Sequence, residues 1–365
     1  MENNTIETMD TVHSSPKFAI VKLSSVGDII HAIPVACTLK KKYKDCHITW
    51  ISEKLGSQIL IENPAIDRVI VVDTKTWRKW LLKPGNYWQL VKDLFNTITD
   101  LRDQKFDAVV DLQGLLKSGV ISWMLKSDER WGFPSYRCRE GINARFSNRY
   151  ISDSLLHDHI VEQNLAFTFL MGCKSPVTKI DFNVSDNDKL FIDEFLDSLP
   201  SNKKKIIVNP GTGWKTKTWA PENYRKLCEI LFKKHEFIFI LTWGPDEKPL
   251  VESIHKGLEI ETVITPSTNL TQLAYLLTKS RFVIGGDTGP IHIAAAQDVP
   301  VIAVMGPSDP DRNGPYDTAG ETIYNPLNCS GCYRRECENP QCINSITVEQ
   351  VIDAVEKLEN CLRSK

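Results

Sequence analysis

The stretch from residue 283 to residue 308 limits the fold more than any other part of this chain. Val283-Ile284 runs into Gly285-Gly286. Asp287-Thr288-Gly289-Pro290 follows, then an alanine-rich helix through Ala296, then an apolar strand over 299–305 ending at Gly306-Pro307. Two apolar strands joined by one helix pair as parallel neighbours, buried on both faces. The glycines let the backbone approach a ligand, and the free N–H groups at the helix start attract an anion. Thr288 or Asp287 can cap that helix, and Pro290 suits its first turn. The unit reads either as a holder for a phosphorylated small molecule or as an ordinary strand-to-helix turn.

The same alternation recurs along the chain. Strands are expected at 18–23, 47–51, 68–72 and 108–112, separated by helical stretches. After a polar region, it restarts with strands at 206–209, 237–242, 262–264, 282–284 and 299–305. Helices are expected at 190–199, 222–234, 270–278, 291–296 and 348–362. The fold class is therefore α/β: two Rossmann-like parallel-sheet domains facing a central cleft, with ligands at the carboxyl ends of the strands. The expected division is a disordered tail over 1–16, a first domain over 17–184 and a linker region over 185–205. A second domain follows over 206–346, with a closing helix over 347–365.

Composition removes several function classes. With 42% hydrophobic and 25% charged residues, 365 residues can build two cores, and no apolar run reaches membrane-spanning length. A net charge of −2 gives no overall field for nucleic acid. The first 16 residues lack the basic start and apolar centre of a signal peptide, so ten cysteines read as reduced thiols in the cytoplasm. The local balance differs: residues 70–150 hold 14 Lys or Arg against 9 Asp or Glu, a net of +5. Arg130, Arg137, Arg139, Arg145 and Arg149 contribute, with Trp77-Arg78-Lys79-Trp80 upstream. Such a patch is either a solvated face or a surface for an acceptor carrying carboxylates or phosphates.

Three strand-end loops carry the candidate chemistry. In Lys22-Leu-Ser-Ser-Val-Gly-Asp28, the carboxylate either caps a helix or acts as a general base on a substrate hydroxyl. In Asn209-Pro-Gly-Thr-Gly-Trp-Lys-Thr-Lys217, glycine amides and two lysines suit a diphosphate. The third is the Asp287-Thr288-Gly289 loop. Walker A spacing is absent, and no G-x-G-x-x-G follows the first strand, which disfavours a nicotinamide dehydrogenase.

Lys22–Pro34, Asp111–Ser118, Lys217–Glu222 and Gly285–His292, in this order, resemble the family 9 glycosyltransferases, the ADP-heptose:lipopolysaccharide heptosyltransferases. The Trp77–Trp80 segment and Arg137-Cys-Arg-Glu140 leading to Asn143 are most similar to the heptosyltransferase I branch. The resemblance implies a GT-B fold and inverting transfer of heptose from ADP-heptose to the Kdo region of Kdo-lipid A, with no cofactor required. It implies Asp28 as general base. Lys217 (with Lys215 as the other candidate), Gly211, Thr212, Asp287, Thr288, Gly289 and His292 fall on the donor side. On the acceptor side it points to Ser25, Gly27, Arg78, Lys79, Gln113, Arg137 and Arg139. His292 also reads as a packed, hydrogen-bonded histidine. A cytoplasmic enzyme touching the inner face of the inner membrane transiently is implied. The open alternatives are a transferase with another donor or acceptor, such as a heptosyltransferase II, and an inactive nucleotide-sugar-binding protein.

Cys329, Cys332, Cys337 and Cys342 lie within fourteen residues. Their spacing suits a tetrahedral structural zinc, with iron less apt, and equally a redox-sensitive pair or inert thiols. Arg334 and Arg335 are expected to lower the thiol pKa values, and the segment to stand apart from the three loops.

Overall fold

The computed structural model describes residues 15–83, 85–155 and 157–364. The expected tail lies almost wholly outside the described residues. The chain divides into two compact units between Asn183 and Val184.

In the first unit the strands are β1 (Lys17–Val21), β2 (His47–Ser52), β3 (Arg68–Val71), β4 (Ala108–Asp111), β5 (Arg130–Gly132) and β6 (Arg149–Tyr150). The helices are α1 (Val26–Ile30), α2 (Ile33–Lys42), α3 (Lys54–Leu60), α4 (Thr74–Leu81), α5 (Tyr87–Leu101), α6 (Leu116–Met124) and α7 (Ile160–Leu170). All pairings are parallel, in the order β3-β2-β1-β4-β5-β6. Phe18, Ala19, Ile20 and Val21 are fully buried, as a central parallel strand requires.

In the second unit, helix α8 (Asp186–Asp197) precedes β7 (Lys205–Asn209), α9 (Pro221–His235), β8 (Ile238–Leu241), α10 (Lys248–Lys256) and β9 (Thr262–Ile264). Then come α11 (Leu270–Thr278), β10 (Phe282–Gly286), α12 (Gly289–Ala296), β11 (Val301–Met305), α13 (Pro310–Asn313), β12 (Gly320–Tyr324), α14 (Gln341–Asn344) and α15 (Val348–Arg363). The sheet order is β12-β11-β10-β7-β8-β9. Counted from its own first strand, this is the same 3-2-1-4-5-6 arrangement as in the first unit, although the two halves share no sequence repeat. In such a sheet the strand order reverses between the first and fourth strands, where ligands collect. The reversal falls between β1 and β4, and again between β7 and β10.

Two expectations need correction. The stretch over 185–205 is not a linker, because α8 belongs to the second unit. Ser185 caps it, and Asp188 accepts hydrogen bonds from Thr271 Oγ1 (2.8 Å) and Gln272 Nε2 (2.7 Å) at the start of α11. The closing helix is not separate either: Val351, Ala354, Val355 and Leu358 are buried in the core of that unit. Trp219 fixes this closure, with its ring edge-on to Tyr224 and its Nε1 donating 2.9 Å to the Ile346 carbonyl. Burying an indole of that kind is worth at most ~4–6 kcal/mol.

Candidate active site

In the first unit, β1 ends at the reversal point and the chain turns into α1. Ser25 is the N-cap, so Asp28 is not the capping residue itself; it stands at the third helical position. Its Oδ2 accepts from the Ser25 N–H (3.0 Å) and Ser25 Oγ (2.9 Å), the return half of a capping box. Asp28 is half-buried, Gly27 lies inside the same short helix, and Ser25 is exposed.

Gln113, expected on the acceptor side, supports the backbone of the first loop. Its Oε1 accepts from the Leu23 N–H (2.9 Å) and Ser24 N–H (3.3 Å), so it holds the loop that leads to Asp28. Gln113 is held in turn by Asp111, at the end of β4. The buried Asp111 carboxylate accepts from the Gln113 N–H (2.8 Å), Ser118 Oγ (2.9 Å) and Asn143 Nδ2 (2.7 Å). Burial raises its pKa, and those hydrogen bonds only partly offset the rise. Asn143 also donates to the Leu115 carbonyl (2.7 Å), and the Glu140 N–H reaches the Gly114 carbonyl (3.1 Å). Gly119 permits this docking, because a Cβ there would lie 2.9 Å from Asn143 Nδ2 and 2.7 Å from the Phe146 ring. Three motifs far apart in sequence thus form one network behind Asp28.

The basic patch is only partly available. Arg149 pairs with Glu129 (3.2 Å), and Arg130 donates to the Ser127 carbonyl. Arg137, Arg139 and Arg145 remain exposed, with Arg137 3.8 Å from Asp153. Arg78 and Lys79 are exposed in the last turn of α4. Arg145 also lines an open cavity of about 670 Å³ with Pro134, Ser135, Ile142 and Tyr150.

In the second unit, the loop after β7 and the loop after β10 meet at the reversal point. Asn209 joins them: its Nδ2 donates to the Gly211 carbonyl (3.0 Å) and Thr288 Oγ1 (3.3 Å). Thr212 Oγ1 lies 2.5 Å from Thr218 Oγ1, and a Cβ on Gly286 would stand 3.0 Å from the Thr212 methyl. Lys217 Nζ reaches Asp287 Oδ2 at 2.5 Å, and His292 Nε2 reaches Asp287 Oδ1 at 3.0 Å. Burial works to raise the Asp287 pKa. The hydrogen bond and charge of His292, then the charge and hydrogen bond of Lys217, outweigh it and hold the carboxyl well below the usual range. Lys217 Nζ also sits 4.2 Å from the Trp214 ring centroid, whereas Lys215 is exposed. Of the two lysines, Lys217 is therefore the one directed at the Asp287 loop. Thr288 is the N-cap of α12, so Gly289 and the free amides of the first turn follow directly.

The cysteine segment departs from expectation twice. It does not stand apart: Thr216 Oγ1 donates to the Arg334 carbonyl (2.7 Å), and the Arg335 guanidinium lies 5.0 Å from the Trp214 ring centroid. Nor are the thiols gathered as ligands. Cys342 is buried and Cys329, Cys332 and Cys337 are exposed. Among the described residues, no three His, Cys, Asp or Glu side chains are placed to hold a metal ion. The residues therefore do not fit the zinc expected at Cys329, Cys332, Cys337 and Cys342. Burial, reinforced by the neighbouring thiols, pushes the Cys342 thiol up rather than down. The loop is ordered instead by Leu327 N–H to Ser330 Oγ (2.7 Å) and Tyr333 Oη to Asn313 Oδ1 (2.8 Å).

Sequence reasoning gave Asn209 and Glu247 no role at the site, and gave Arg335 a role only toward the thiols. Glu247 accepts from the Gly244 N–H (2.8 Å), and its carboxylate fills the space that a Cβ on Gly211 would need, 2.0 Å away. Burial raises the Glu247 pKa, and the Gly244 bond offsets part of the rise. A half-buried carboxylate at the carboxyl end of β8 can accept from hydroxyl groups. The one sequence signal was its place shortly after β8 beside Gly244.

The family model of glycosyltransferase family 9 (heptosyltransferase) matches residues 94–343. The chain is 30% identical over 312 residues to the lipopolysaccharide core heptosyltransferase OpsX of Haemophilus influenzae, covering 85% of this chain and 84% of that one. It is likewise 30% identical over 303 residues to lipopolysaccharide heptosyltransferase 1 of Escherichia coli K12, covering 81% and 90%. Among solved structures, E. coli heptosyltransferase WaaC with ADP matches at a TM-score of 0.73 and 25% identity, covering 93% and 99%. With two Rossmann-like units of identical strand order, the architecture is GT-B, and the chain belongs to glycosyltransferase family 9.

Proposed function

We propose that this enzyme transfers heptose from ADP-heptose to the Kdo region of the lipopolysaccharide inner core, as a heptosyltransferase I, with inversion at the anomeric carbon. The observation that carries the reading is the Lys217–Asp287–His292 cluster, set beside the free amides of α12 at a strand-order reversal. It is supported by relatives named for heptose transfer and by solved structures of WaaC with ADP and with ADP-2-deoxy-2-fluoro heptose. The second unit holds the donor. The diphosphate accepts hydrogen bonds from the Gly211–Gly213 loop and the amides of Thr288 and Gly289, and takes charge from Lys217. As ADP departs, negative charge grows on its terminal phosphate. A fixed cation and fixed amides stabilise that charge without reorganising, and one such donor is worth roughly 3–4 kcal/mol of barrier.

The first unit supplies the base. Asp28 takes the proton of the acceptor hydroxyl while its oxygen attacks the face opposite the nucleotide. Ser25 and the Gln113-anchored loop fix the carboxylate. Arg78, Lys79, Arg137 and Arg139 supply charge to an anionic saccharolipid, and the enzyme works against the cytoplasmic face of the inner membrane. The test is ADP-heptose with Kdo-lipid A, read by product mass spectrometry. One heptose added per acceptor is expected. Transfer only to an already heptosylated acceptor, or only from another nucleotide sugar, overturns the reading. Arg78→Ala with Lys79→Ala should raise the acceptor KM in a salt-sensitive way while leaving the donor KM fixed.

A further inference from the structure

Helix α5 has two apolar faces. Leu90, Thr97 and Leu101 are buried on the inner one, where the helix packs on β3. On the outer one Trp88, Val91, Phe95 and Ile98 recur at i, i+3, i+7 and i+10, a single helical stripe. Trp88 is 77% exposed and Phe95 69%, values that a soluble surface does not need. Helix α4 packs on α5, and Leu81 and Leu82 at its end are exposed at 60% and 72%. Helix α6 also touches α5 and leaves Trp123 60% exposed.

The charge around this face has one sign. Residues 74–101 carry Lys75, Arg78, Lys79, Lys83 and Lys92 against only Asp93 and Asp100, in a chain that is acidic overall. Both acids are engaged on the protein itself: Asp93 accepts from Trp77 Nε1 at 2.5 Å, and Asp100 lies 3.6 Å from Arg68. A second copy seated on this face would bring two cationic rims together. An anionic bilayer offers the complement, with hydrocarbon for the stripe, an interfacial layer suited to Trp and Tyr, and phosphates for the lysines.

We propose that the outer face of α5, with the end of α4 and the exposed edge of α6, is the surface by which this enzyme lies on an anionic phospholipid bilayer. The choice of membrane rests on the acceptor reading above, but the contact is a property of this face and is measurable without acceptor or donor. Shallow insertion of the stripe gives apolar affinity, and the lysines restrict it to anionic lipid. Neither alone gives firm attachment, so the contact is reversible.

The test is co-sedimentation of the full chain with vesicles of phosphatidylethanolamine and phosphatidylglycerol, and with vesicles of phosphatidylcholine alone. Binding to the anionic vesicles, weakened by salt, is expected. Trp88→Ser with Phe95→Ser should lower the partition coefficient by roughly tenfold or more. Lys83→Glu with Lys92→Glu should abolish the preference for anionic lipid and most of the salt dependence. Equal partition of wild type and Trp88→Ser/Phe95→Ser overturns the proposal. So does a concentration-dependent dimer, seen by sedimentation velocity, that the same pair of substitutions disperses. Heptose transfer to a deacylated, water-soluble Kdo acceptor should be unchanged in both double variants. If wild type fails in that transfer but binds vesicles through this face, the assigned reaction falls and the membrane surface stands.

Discussion

Asp28 and Asp287 look alike in sequence: each directly follows a glycine shortly after a central parallel strand, where the chain passes into a helix. Their surroundings separate them. Asp287 is buried between Lys217 and His292 and held ionised well below the usual carboxyl range. A carboxylate so stabilised is a poor proton acceptor, and its two oxygens hold a lysine and a histidine. Asp28 is half-buried and bonded to an amide and a hydroxyl of Ser25. Those two donors orient the carboxylate at the start of α1. The two carboxylates are thus told apart by their partners, not by their motifs.

Replacing each aspartate tests that contrast most severely. Asp28→Ala should lower turnover by roughly 10²–10⁴-fold while ADP affinity, read by calorimetry, stays nearly fixed. Near-native turnover would take the role of base away from Asp28. Asp287→Asn should act on stability and donor binding together, because it leaves Lys217 short of its partner. A loss on the order of 3 kcal/mol is expected for a broken buried pair. The pH dependence has a definite sign. Since folding depresses the Asp287 pKa, its contribution is fully present above the unfolded value of about 4 and is lost as pH falls through the lower folded value. The gap between wild type and Asp287→Asn in thermal melts should therefore narrow only below about pH 4. A gap that closed between pH 7 and pH 5 would break the assignment.

Lys217→Ala should weaken ADP binding by roughly tenfold or more, whereas Lys215→Ala should change it by less than about threefold. Equal losses would mean that the exposed Lys215 folds over the phosphates and that the Asp287 pairing does not select the lysine.

The sequence made the central strands legible because they are continuous apolar runs, and runs of that kind in βαβ order leave few topologies. It missed β5, β6 and β12, which are short edge or near-edge strands of mixed composition, as in Arg149-Tyr150 and Gly320–Tyr324. It placed α8 in a linker because the helix is strongly polar outside. Its attachment through Asp188 and Asp193 to α11 is a set of long-range hydrogen bonds that no local pattern announces. At the site, the residues at strand ends could be named, but not their partners. Only the resemblance places Gln113 on the acceptor side; nothing local in the sequence signals that its Oε1 accepts from the Leu23 and Ser24 amides. The cysteine segment looked remote because 112 residues separate Lys217 from Cys329, and the fold brings Arg334 and Arg335 onto the Trp214–Thr216 turn.

Gln113→Ala carries the comparison to the support of Asp28. Two backbone hydrogen bonds worth about 0.5–1.5 kcal/mol each would be lost from the loop. Turnover should fall by roughly tenfold with donor KM nearly unchanged, and the melting temperature by about a few degrees. A fall in melting temperature with turnover intact would make Gln113 a stabilising residue only.

The smallest effect is expected from the thiols. Cys329, Cys332 and Cys337 are exposed, no metal-ligand group is formed with the buried Cys342 among the described residues, and the contacts with the Trp214–Thr216 turn run through Arg334 and Arg335. Serine at the three exposed positions removes no packed apolar volume. Substitutions of that kind usually stay within about 0.5 kcal/mol. Cys329→Ser/Cys332→Ser/Cys337→Ser should therefore keep the wild-type melting temperature and ADP affinity, and chelator treatment of the wild type should change neither. Arg335→Ala should be the more harmful change, since it uncovers the Trp214 face beside Lys217 and weakens ADP binding by several-fold. A triple variant less stable than Arg335→Ala, together with a metal equivalent found by elemental analysis of untagged protein, would reverse that ranking and make the four thiols a ligand set.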